Sequence, residues 1–201
     1  TLLTKFQAQG HQVLGVDPTP EATQLAIDRG VETLQEFFTL KGIAPKIDNA
    51  SVDLVVGTNV FAHVHDLDDF MKGIDWLLKY DGGVFVFESP YFGEFLRGLE
   101  YDTCYHQHLS YLSLKPLIPF LEKHGMEVFD VELHPLHGGV FRVYIARKGQ
   151  RTVSTEVNVM LQNETWTEET LLHFARDTEL NRDELSELIM NIHQAGHSIA
   201  I

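Results

Sequence analysis

Apolar runs alternate with segments of helical period along most of the chain. The runs that predict buried strands lie at residues 13–17, 51–57 and 83–88. Residues 66–78 place apolar side chains three and four positions apart, as in an amphipathic helix, and residues 21–29 predict another helix that ends at Gly30. This alternation predicts an α/β fold with a doubly wound, mostly parallel sheet and helices on both of its faces.

The pattern changes to consecutive strands after a helix predicted at residues 114–124. Two strand-like runs follow at residues 126–133 and 140–147, and a segment rich in Gly, His and Pro separates them. Strands that are adjacent in sequence and joined by a turn pair antiparallel. The sheet is therefore expected to end in an antiparallel edge hairpin.

Two aromatic segments have less regular patterns. Residues 31–38 predict a short strand and a helical turn, with both phenylalanines, Phe37 and Phe38, in the core. Residues 89–99 either close over a substrate or pack on the sheet, and the first alternative is favoured. The aromatic side chains of this second segment are Tyr91, Phe92 and Phe95.

The chain changes character beyond Gly149. Residues 165–168 resemble a capping box, and a charged helix follows with an apolar stripe of Leu185, Leu188, Ile189 and Ile192. We therefore predict one domain over residues 1–149. Residues 150–201 are predicted to be a linker and an interaction or interdomain helix, with a strand-like run beginning at Ile199.

Composition narrows the classes of partner. The chain has 201 residues, of which 44% are hydrophobic, enough for a sizeable core. Its net charge of −14 argues against broad binding to nucleic acid or to anionic membranes, because both require a basic surface. No apolar run approaches the ~20 residues of a membrane span. The single cysteine, Cys104, and the lack of a visible leader favour a cytoplasmic protein.

Chemically active side chains are concentrated in residues 100–111, of sequence EYDTCYHQHLSY, which follow the predicted strand at residues 83–88. Two imidazoles and three phenols fall within these twelve residues, without helical or strand period. Loops at the carboxyl ends of strands form the ligand sites of α/β sheets. We therefore predict that this segment forms the wall of a site.

Polar residues also follow the predicted strands. Asp17 ends the first strand, where a carboxylate suits the two hydroxyls of a ribose, although it could equally cap the next helix. Asn59 and His63 follow the strand at residues 51–57, so they fall where a ligand would lie. A single histidine in such a place is somewhat more often structural than functional.

These segments resemble a known family. The runs GVD at 15–17, DLVV at 53–56, NVFAH at 59–63 and GVFVFE at 83–88 resemble the class I S-adenosylmethionine-dependent methyltransferases. More narrowly, YHQHLSY at 105–111 is similar to the loop of the nucleotide-sugar C-methyltransferases, which methylate a carbon of a deoxy-keto sugar. The resemblance runs from Thr1 to about Lys148.

The resemblance implies a cofactor, a substrate and roles for individual residues. The cofactor is S-adenosylmethionine and the substrate is a nucleotide-linked keto sugar. His108 is the expected base, Tyr105 a hydrogen-bond donor or proton relay, and Gln107 a sugar contact in a position where the family usually has Glu. Cofactor contacts are expected from Asp17 at the ribose, Glu36 near the adenine, and Asn59, Phe61 and His63 beneath the methionine portion.

The resemblance also implies that parts of the family's architecture are absent. The chain starts beyond the glycine-rich turn and the first, central strand, and it lacks the cysteine-rich zinc domain and a complete second α/β domain. Without the central strand, the strand ending at Asp17 and the strand ending at Gly57 must either pair directly or leave a gap. An isolated chain is then expected to be unstable or to recruit a partner, for example as a homo-oligomer.

Other functions are weighed against this one. His106 and His108, with His63, His65, His134 and His137, could bind a metal, but their spacing matches no zinc motif, so no metal is predicted. A non-catalytic module that binds nucleotide sugar or a subunit is the main alternative, and a methyltransferase for another small molecule is a second. A dehydrogenase is disfavoured because no Tyr-x-x-x-Lys arrangement follows the fourth strand.

Overall fold

The computed structural model describes residues 2–200 and contains six strands and eight α-helices within that range. The strands are β1 (Gly15–Asp17), β2 (Thr33–Gln35), β3 (Leu54–Thr58), β4 (Val84–Pro90), β5 (Met126–His134) and β6 (Val140–Arg147). The helices are α1 (Leu2–Ala8), α2 (Pro20–Asp28), α3 (Leu40–Ile43), α4 (Leu67–Leu77), α5 (Phe92–Arg97), α6 (Leu114–Glu122), α7 (Thr155–Asn163) and α8 (Glu168–Gln194).

The described strands form two sheets. β1 pairs with β2 in parallel, and the larger sheet has the order β3-β4-β6-β5. β3 and β4 are parallel, whereas β6 is antiparallel to both β4 and β5. β1 does not pair with β3, so of the two predicted arrangements the gap is the one observed. The hairpin lies at the sheet edge as expected, with β5 outermost.

The gap changes the environment of β3. This strand was expected to be buried on both faces, yet it is only partly buried, and Leu54 is 40% exposed. Within residues 2–200, β3 has a strand partner on one side only, so its other edge and the neighbouring side chains remain accessible. The expectation of full burial is therefore wrong for this strand.

The core lies on one face of the larger sheet. Burial alternates strictly along β4, because successive side chains of a strand point to opposite faces. Phe85 and Phe87 point to the buried face, where they meet the apolar sides of α4 and α6. Phe61 joins them, stacked on Phe87 with ring centroids 4.6 Å apart.

The predicted helices have the expected ends. Asp66 caps α4 by accepting the Asp69 N–H at 2.9 Å, and α2 is followed by Gly30 in the left-handed region, with φ of +78°. α6 likewise ends near Gly125, with φ of +69°. Apolar periodicity and end signals therefore located these helices correctly.

The aromatic segments differ from expectation. Phe38 packs against Phe70 in the core, but Phe37 is 68% exposed, so its predicted burial is wrong. Residues 89–99 contain α5, and Phe95 packs against Phe174 of α8 with ring centroids 4.9 Å apart. This segment therefore packs against α8, and its closure over a substrate stays a prediction.

The C-terminal segment forms two helices. α7 buries Val157 and Met160 against the larger sheet. The capping box belongs to Thr167 and Thr170, two residues later than predicted. No residue of α8 is buried, and its predicted apolar stripe is largely exposed. The strand-like run at the end is not observed as a strand in the part described, and Ile201 lies outside the described residues.

None of the helices within residues 2–200 combines the length and the apolar character needed to cross a bilayer.

Candidate active site

Residues 100–111, which we call the site loop, lie between α5 and α6. A single 3₁₀ turn at Tyr101–Thr103 interrupts an otherwise irregular backbone, in agreement with the missing periodicity of the sequence. The Ala62 carbonyl, in the 3₁₀ turn Phe61–His63 that follows β3, accepts the N–H groups of Leu109 at 2.9 Å and Ser110 at 3.2 Å. The loop is thereby fastened to the carboxyl end of β3, where ligands bind in sheets of this type.

His108 is held at both ring nitrogens. Its Nδ1 lies 2.9 Å from the Thr103 carbonyl oxygen, and its Nε2 lies 2.9 Å from the Tyr105 hydroxyl. A carbonyl can only accept, so neutral His108 carries its proton on Nδ1 and presents a lone pair at Nε2. The Tyr105 hydroxyl then donates to that lone pair. The two side chains form a connected pair in which Nε2 can act as a base.

His63 lies against this pair. It ends the 3₁₀ turn Phe61–His63 after β3, and its Nδ1 donates to the Gln107 carbonyl oxygen at 2.7 Å. The His63 and His108 rings are 4.9 Å apart between centroids. His63, which was predicted to lie beside the cofactor, therefore contacts His108, the predicted base.

Gln107 contributes through its backbone as well as its side chain. Its carbonyl holds His63, while its side chain is exposed to solvent beside the His108 pair. An exposed amide can both donate and accept, so it can contact a hydroxyl-bearing ligand. The sugar contact of Gln107 stays a prediction.

Tyr111 closes the loop on its inner side. Its ring packs against Phe95 at 5.4 Å, and lies 6.5 Å from the His108 ring between centroids. Burial and then the hydrogen bond with Cys104 raise the pKa of the Tyr111 hydroxyl to about 12. The hydroxyl is therefore protonated at neutral pH, so Tyr111 is a neutral wall of the site.

Asp17 and Glu36 lie at the carboxyl ends of the two strands of the smaller sheet. Asp17 Oδ1 accepts the Thr19 N–H at 2.8 Å, ahead of α2, so Asp17 forms a local turn. Glu36 pairs with Lys46 at 2.8 Å, and this contact lowers the pKa of the Glu36 carboxyl.

The two remaining predicted cofactor residues occupy different environments. Asn59 is exposed and adopts the left-handed region with φ of +53°, and its N–H donates to the Glu88 carbonyl at 2.9 Å. Phe61 is 1% exposed and lies within the aromatic core. Phe61 therefore lies in the core beneath the site, and its predicted contact with the cofactor stays a prediction.

The histidines do not gather into a metal centre. Among residues 2–200, no group of three or more His, Cys, Asp or Glu side chains is arranged to hold a metal ion. His134 instead contacts Glu132 at 2.9 Å on β5, away from the site loop.

Sequence reasoning missed the backbone groups that orient the site. The Thr103 and Ala62 carbonyls fix the ring of His108 and the path of the loop, yet every residue has such a carbonyl, so no sequence signal could identify them. It also missed Glu164, a buried carboxylate between α7 and α8. No signal in the polar segment at residues 162–169 distinguishes Glu164 from its neighbours.

Comparison with known families matches nearly the whole chain. The methyltransferase domain family matches residues 1–131, and the family described as the C-methyltransferase C-terminal domain matches residues 135–201. The two matches meet in the β5–β6 hairpin. The division predicted after residue 149 remains a prediction.

One curated relative is the C-methyltransferase NovU of Streptomyces niveus, which is 36% identical over 98% of this chain. The chain spans 48% of the length of that relative.

Solved structures share the fold. An S-adenosylmethionine-dependent methyltransferase of Methanosarcina mazei has a TM-score of 0.58 at 15% identity, over 75% of this chain and 87% of that one. The 1,6-didemethyltoxoflavin-N1-methyltransferase of Burkholderia thailandensis, solved with S-adenosylhomocysteine, has a TM-score of 0.52 at 21% identity, over 73% and 65%. Identities this low show the fold alone, and the predicted Rossmann-like α/β fold is confirmed.

Proposed function

The chain belongs to the methyltransferase domain family, and from this membership we propose that it serves an S-adenosylmethionine-dependent methyltransferase that methylates a carbon of a nucleotide-linked deoxy-keto sugar. The match of residues 135–201 to a C-methyltransferase domain and the name of the relative NovU support carbon as the acceptor. The loop sequence at residues 105–111 supports the sugar. The observation that carries the proposal is the His108–Tyr105 pair with its lone pair at Nε2.

Carbon methylation requires an acceptor that carries an electron pair on carbon. In a keto sugar, a base removes the proton next to the carbonyl, and the C–H electron pair moves into the enolate. His108 Nε2 receives this proton, and the resulting imidazolium donates Nδ1–H to the Thr103 carbonyl. The contact with Thr103 therefore stabilises the charged ring as well as the neutral tautomer.

Besides a base, the reaction requires a group that stabilises the enolate oxygen. Tyr105 can supply this group. Its hydroxyl donates to His108 Nε2 at 2.9 Å in the absence of substrate. Protonation of Nε2 removes that acceptor, and the hydroxyl is then free to donate to the enolate oxygen. Donors aimed at developing negative charge lower the barrier of such reactions by a few kcal/mol, about 3 for a single donor.

The residues at the strand ends fit the methyl donor. A charged carboxylate at Asp17 suits the ribose hydroxyls, Glu36 lies on the neighbouring strand for the adenine, and the exposed Asn59 follows β3. When bound, S-adenosylmethionine supplies an electrophilic methyl group on sulfur. The role of the protein is to hold that methyl in line with the acceptor carbon, which reduces the entropic part of the barrier.

Deuterium exchange into the keto sugar tests the base directly. In D2O and without methyl donor, the wild-type protein is expected to exchange the proton next to the ketone. His108→Ala should lower this rate by about 100-fold or more, since general bases typically contribute that much. Tyr105→Phe should lower it less, because the base remains. Mass spectrometry of the sugar measures the exchange.

His106→Ala is the matched control, because His106 is an exposed imidazole on the same loop with no role in this proposal. Its exchange rate should equal that of the wild-type protein. Equal exchange by His108→Ala and wild type would eliminate His108 as the base. Keto-sugar binding without exchange or methyl transfer in any version would instead support a non-catalytic binding module.

A further inference from the structure

Glu164 is a charged side chain in an unusual place. It follows α7, is 1% exposed, and lies among the apolar side chains that surround Trp166. Taking a carboxylate out of water costs free energy unless hydrogen bonds replace its hydration. The Lys115 ammonium donates to the Glu164 backbone carbonyl and not to the carboxylate. Other donors must therefore compensate for the burial of this charge.

Those donors belong to the start of α6. Glu164 Oε1 accepts the Leu114 N–H at 2.6 Å, and Oε2 accepts the Lys115 N–H at 2.8 Å. The first N–H groups of a helix have no partner within it, and a negative charge there also interacts favourably with the helix dipole. Ser113, at the N-cap position, makes no side-chain capping bond. Glu164 therefore caps α6 from 50 residues further along the chain.

The same carboxylate reaches a second segment. The Tyr91 hydroxyl donates to Glu164 Oε1 at 3.2 Å, and Tyr91 precedes α5. Tyr91 forms a parallel bridge with Leu112, and the Phe92 N–H donates to the Leu112 carbonyl at 2.9 Å. Burial and the nearby Glu164 charge raise the pKa of Tyr91, so its hydroxyl remains a donor. Glu164 thus joins α6 to the segment that binds Leu112.

These contacts fix the end of the site loop. The loop passes from His108 through Tyr111 to Leu112 and then directly into α6. On the other side of His108, the Thr103 carbonyl holds the ring. The geometry points to Glu164 as a positioning residue: it holds the exit of the site loop so that His108 and Tyr105 keep their relation to the ligand side of the sheet. As a statement about catalysis, this inference rests on the proposed function.

An amide cannot reproduce these contacts. The two carboxylate oxygens accept two helix N–H groups at once, whereas Gln offers one acceptor and places an NH2 group against the other N–H. Glu164→Gln is close in size, so the packing is retained while one hydrogen bond and the charge are lost. It therefore tests the hydrogen bonds separately from the packing.

The test compares Glu164→Gln with Lys115→Met, which removes the ammonium contact to the Glu164 carbonyl and leaves both helix N–H bonds in place. Three quantities are measured on the full chain: amide hydrogen exchange of residues 104–113, affinity for S-adenosylhomocysteine, and kcat and KM for methyl transfer to the keto sugar. Tyr91→Phe provides an independent variant, because it removes only the third hydrogen bond.

We expect Glu164→Gln to raise amide exchange in residues 104–113 by about ten-fold, as local opening becomes easier. The kcat should fall by about ten-fold or more, because small misplacements of catalytic groups are costly. The affinity for S-adenosylhomocysteine should stay within about two-fold, since Asp17 and Glu36 lie on the other sheet, whereas KM for the keto sugar should rise because Gln107 lies in the loosened segment. The amide exchange and the kcat of Lys115→Met should equal those of the wild type. Those of Tyr91→Phe should lie between the wild type and Glu164→Gln.

Unchanged amide exchange of residues 104–113 in both Glu164→Gln and Tyr91→Phe would overturn the inference. So would a kcat of Glu164→Gln equal to that of Lys115→Met. If the wild-type protein transfers no methyl group but Glu164→Gln still loosens residues 104–113, the proposed function fails and the positioning of the loop stands. The two failures are therefore distinguishable.

Discussion

His108 shows how tertiary contacts complete a chemical group at the scale of a residue. The sequence identifies an imidazole close to a phenol, but either ring nitrogen could carry the proton. The Thr103 carbonyl at Nδ1 and the Tyr105 hydroxyl at Nε2 decide between the two tautomers. The same contacts give His108 a defined direction, which is what a base needs beyond a suitable pKa.

Side chains of the same chemical type can differ in burial. Phe61 and Phe37 are both aromatic neighbours of predicted strands, yet Phe61 is buried in the core and Phe37 points into solvent. Hydrophobicity alone cannot separate them, because burial depends on which other elements reach the position. The predicted burial of Phe37 was wrong for this reason.

Asp17 allows a test of the cofactor site at the residue scale. Asp17→Ala should weaken binding of S-adenosylhomocysteine by about ten-fold or more, because hydrogen bonds to a charged group contribute about 1.5–3 kcal/mol. Isothermal titration calorimetry measures the affinity.

The control for this test is Asp17→Asn, which keeps an acceptor for the Thr19 N–H and removes the charge. If Asp17 only supports the turn before α2, the Asn variant should bind like the wild type, and the Ala variant should lose thermal stability instead. Wild-type affinity in both variants would contradict a role at the ribose.

Among the elements, helices followed their sequence signals more closely than strands did. α4 begins after Asp66 and ends before the glycine pair as predicted, because its apolar period and its cap are local properties. β3 departed from prediction because the burial of a strand depends on neighbours that are distant in sequence. α5 lies in a segment without a strong period, and its contact with α8 joins residues that are distant along the chain.

The cap of α4 gives a prediction at this scale. Asp66→Ala removes the acceptor of the Asp69 N–H and should lower the free energy of unfolding by about 1 kcal/mol. Urea denaturation followed by circular dichroism measures this change. Asp66→Asn retains the acceptor, so its free energy of unfolding should fall by less. A loss in the Asn variant equal to that in the Ala variant would show that the charge at the helix end, and not the capping bond, is responsible.

The whole molecule is divided by the gap between its two sheets. Within residues 2–200, β1 pairs only with β2, and β3 only with β4, so each sheet has an open edge at the gap. Unpaired strand edges are templates for further pairing. The net charge of −14 opposes self-association, since like charges repel.

We expect this balance to appear as salt-dependent behaviour of the isolated chain. At low salt the chain should be monomeric with a low unfolding temperature. At higher salt, where the screening length falls to about 10 Å at 0.1 M, it should associate. Sedimentation velocity and thermal unfolding at several salt concentrations measure both. A monomer at all salt concentrations, with reversible cooperative unfolding in the usual mesophile range, would contradict this expectation.

The sequence by itself determined the α/β class, the helices with strong period and caps, and the site loop with Tyr105, Gln107 and His108. These features depend on local spacing and residue chemistry, which the chain carries in any environment. Only the tertiary structure decided the gap between the sheets, the contact of His63 with His108, the tautomer of His108, and the capping of α6 by Glu164. Each of these joins groups that are distant along the chain or uses a backbone carbonyl, so their formation depends on packing that no local pattern encodes.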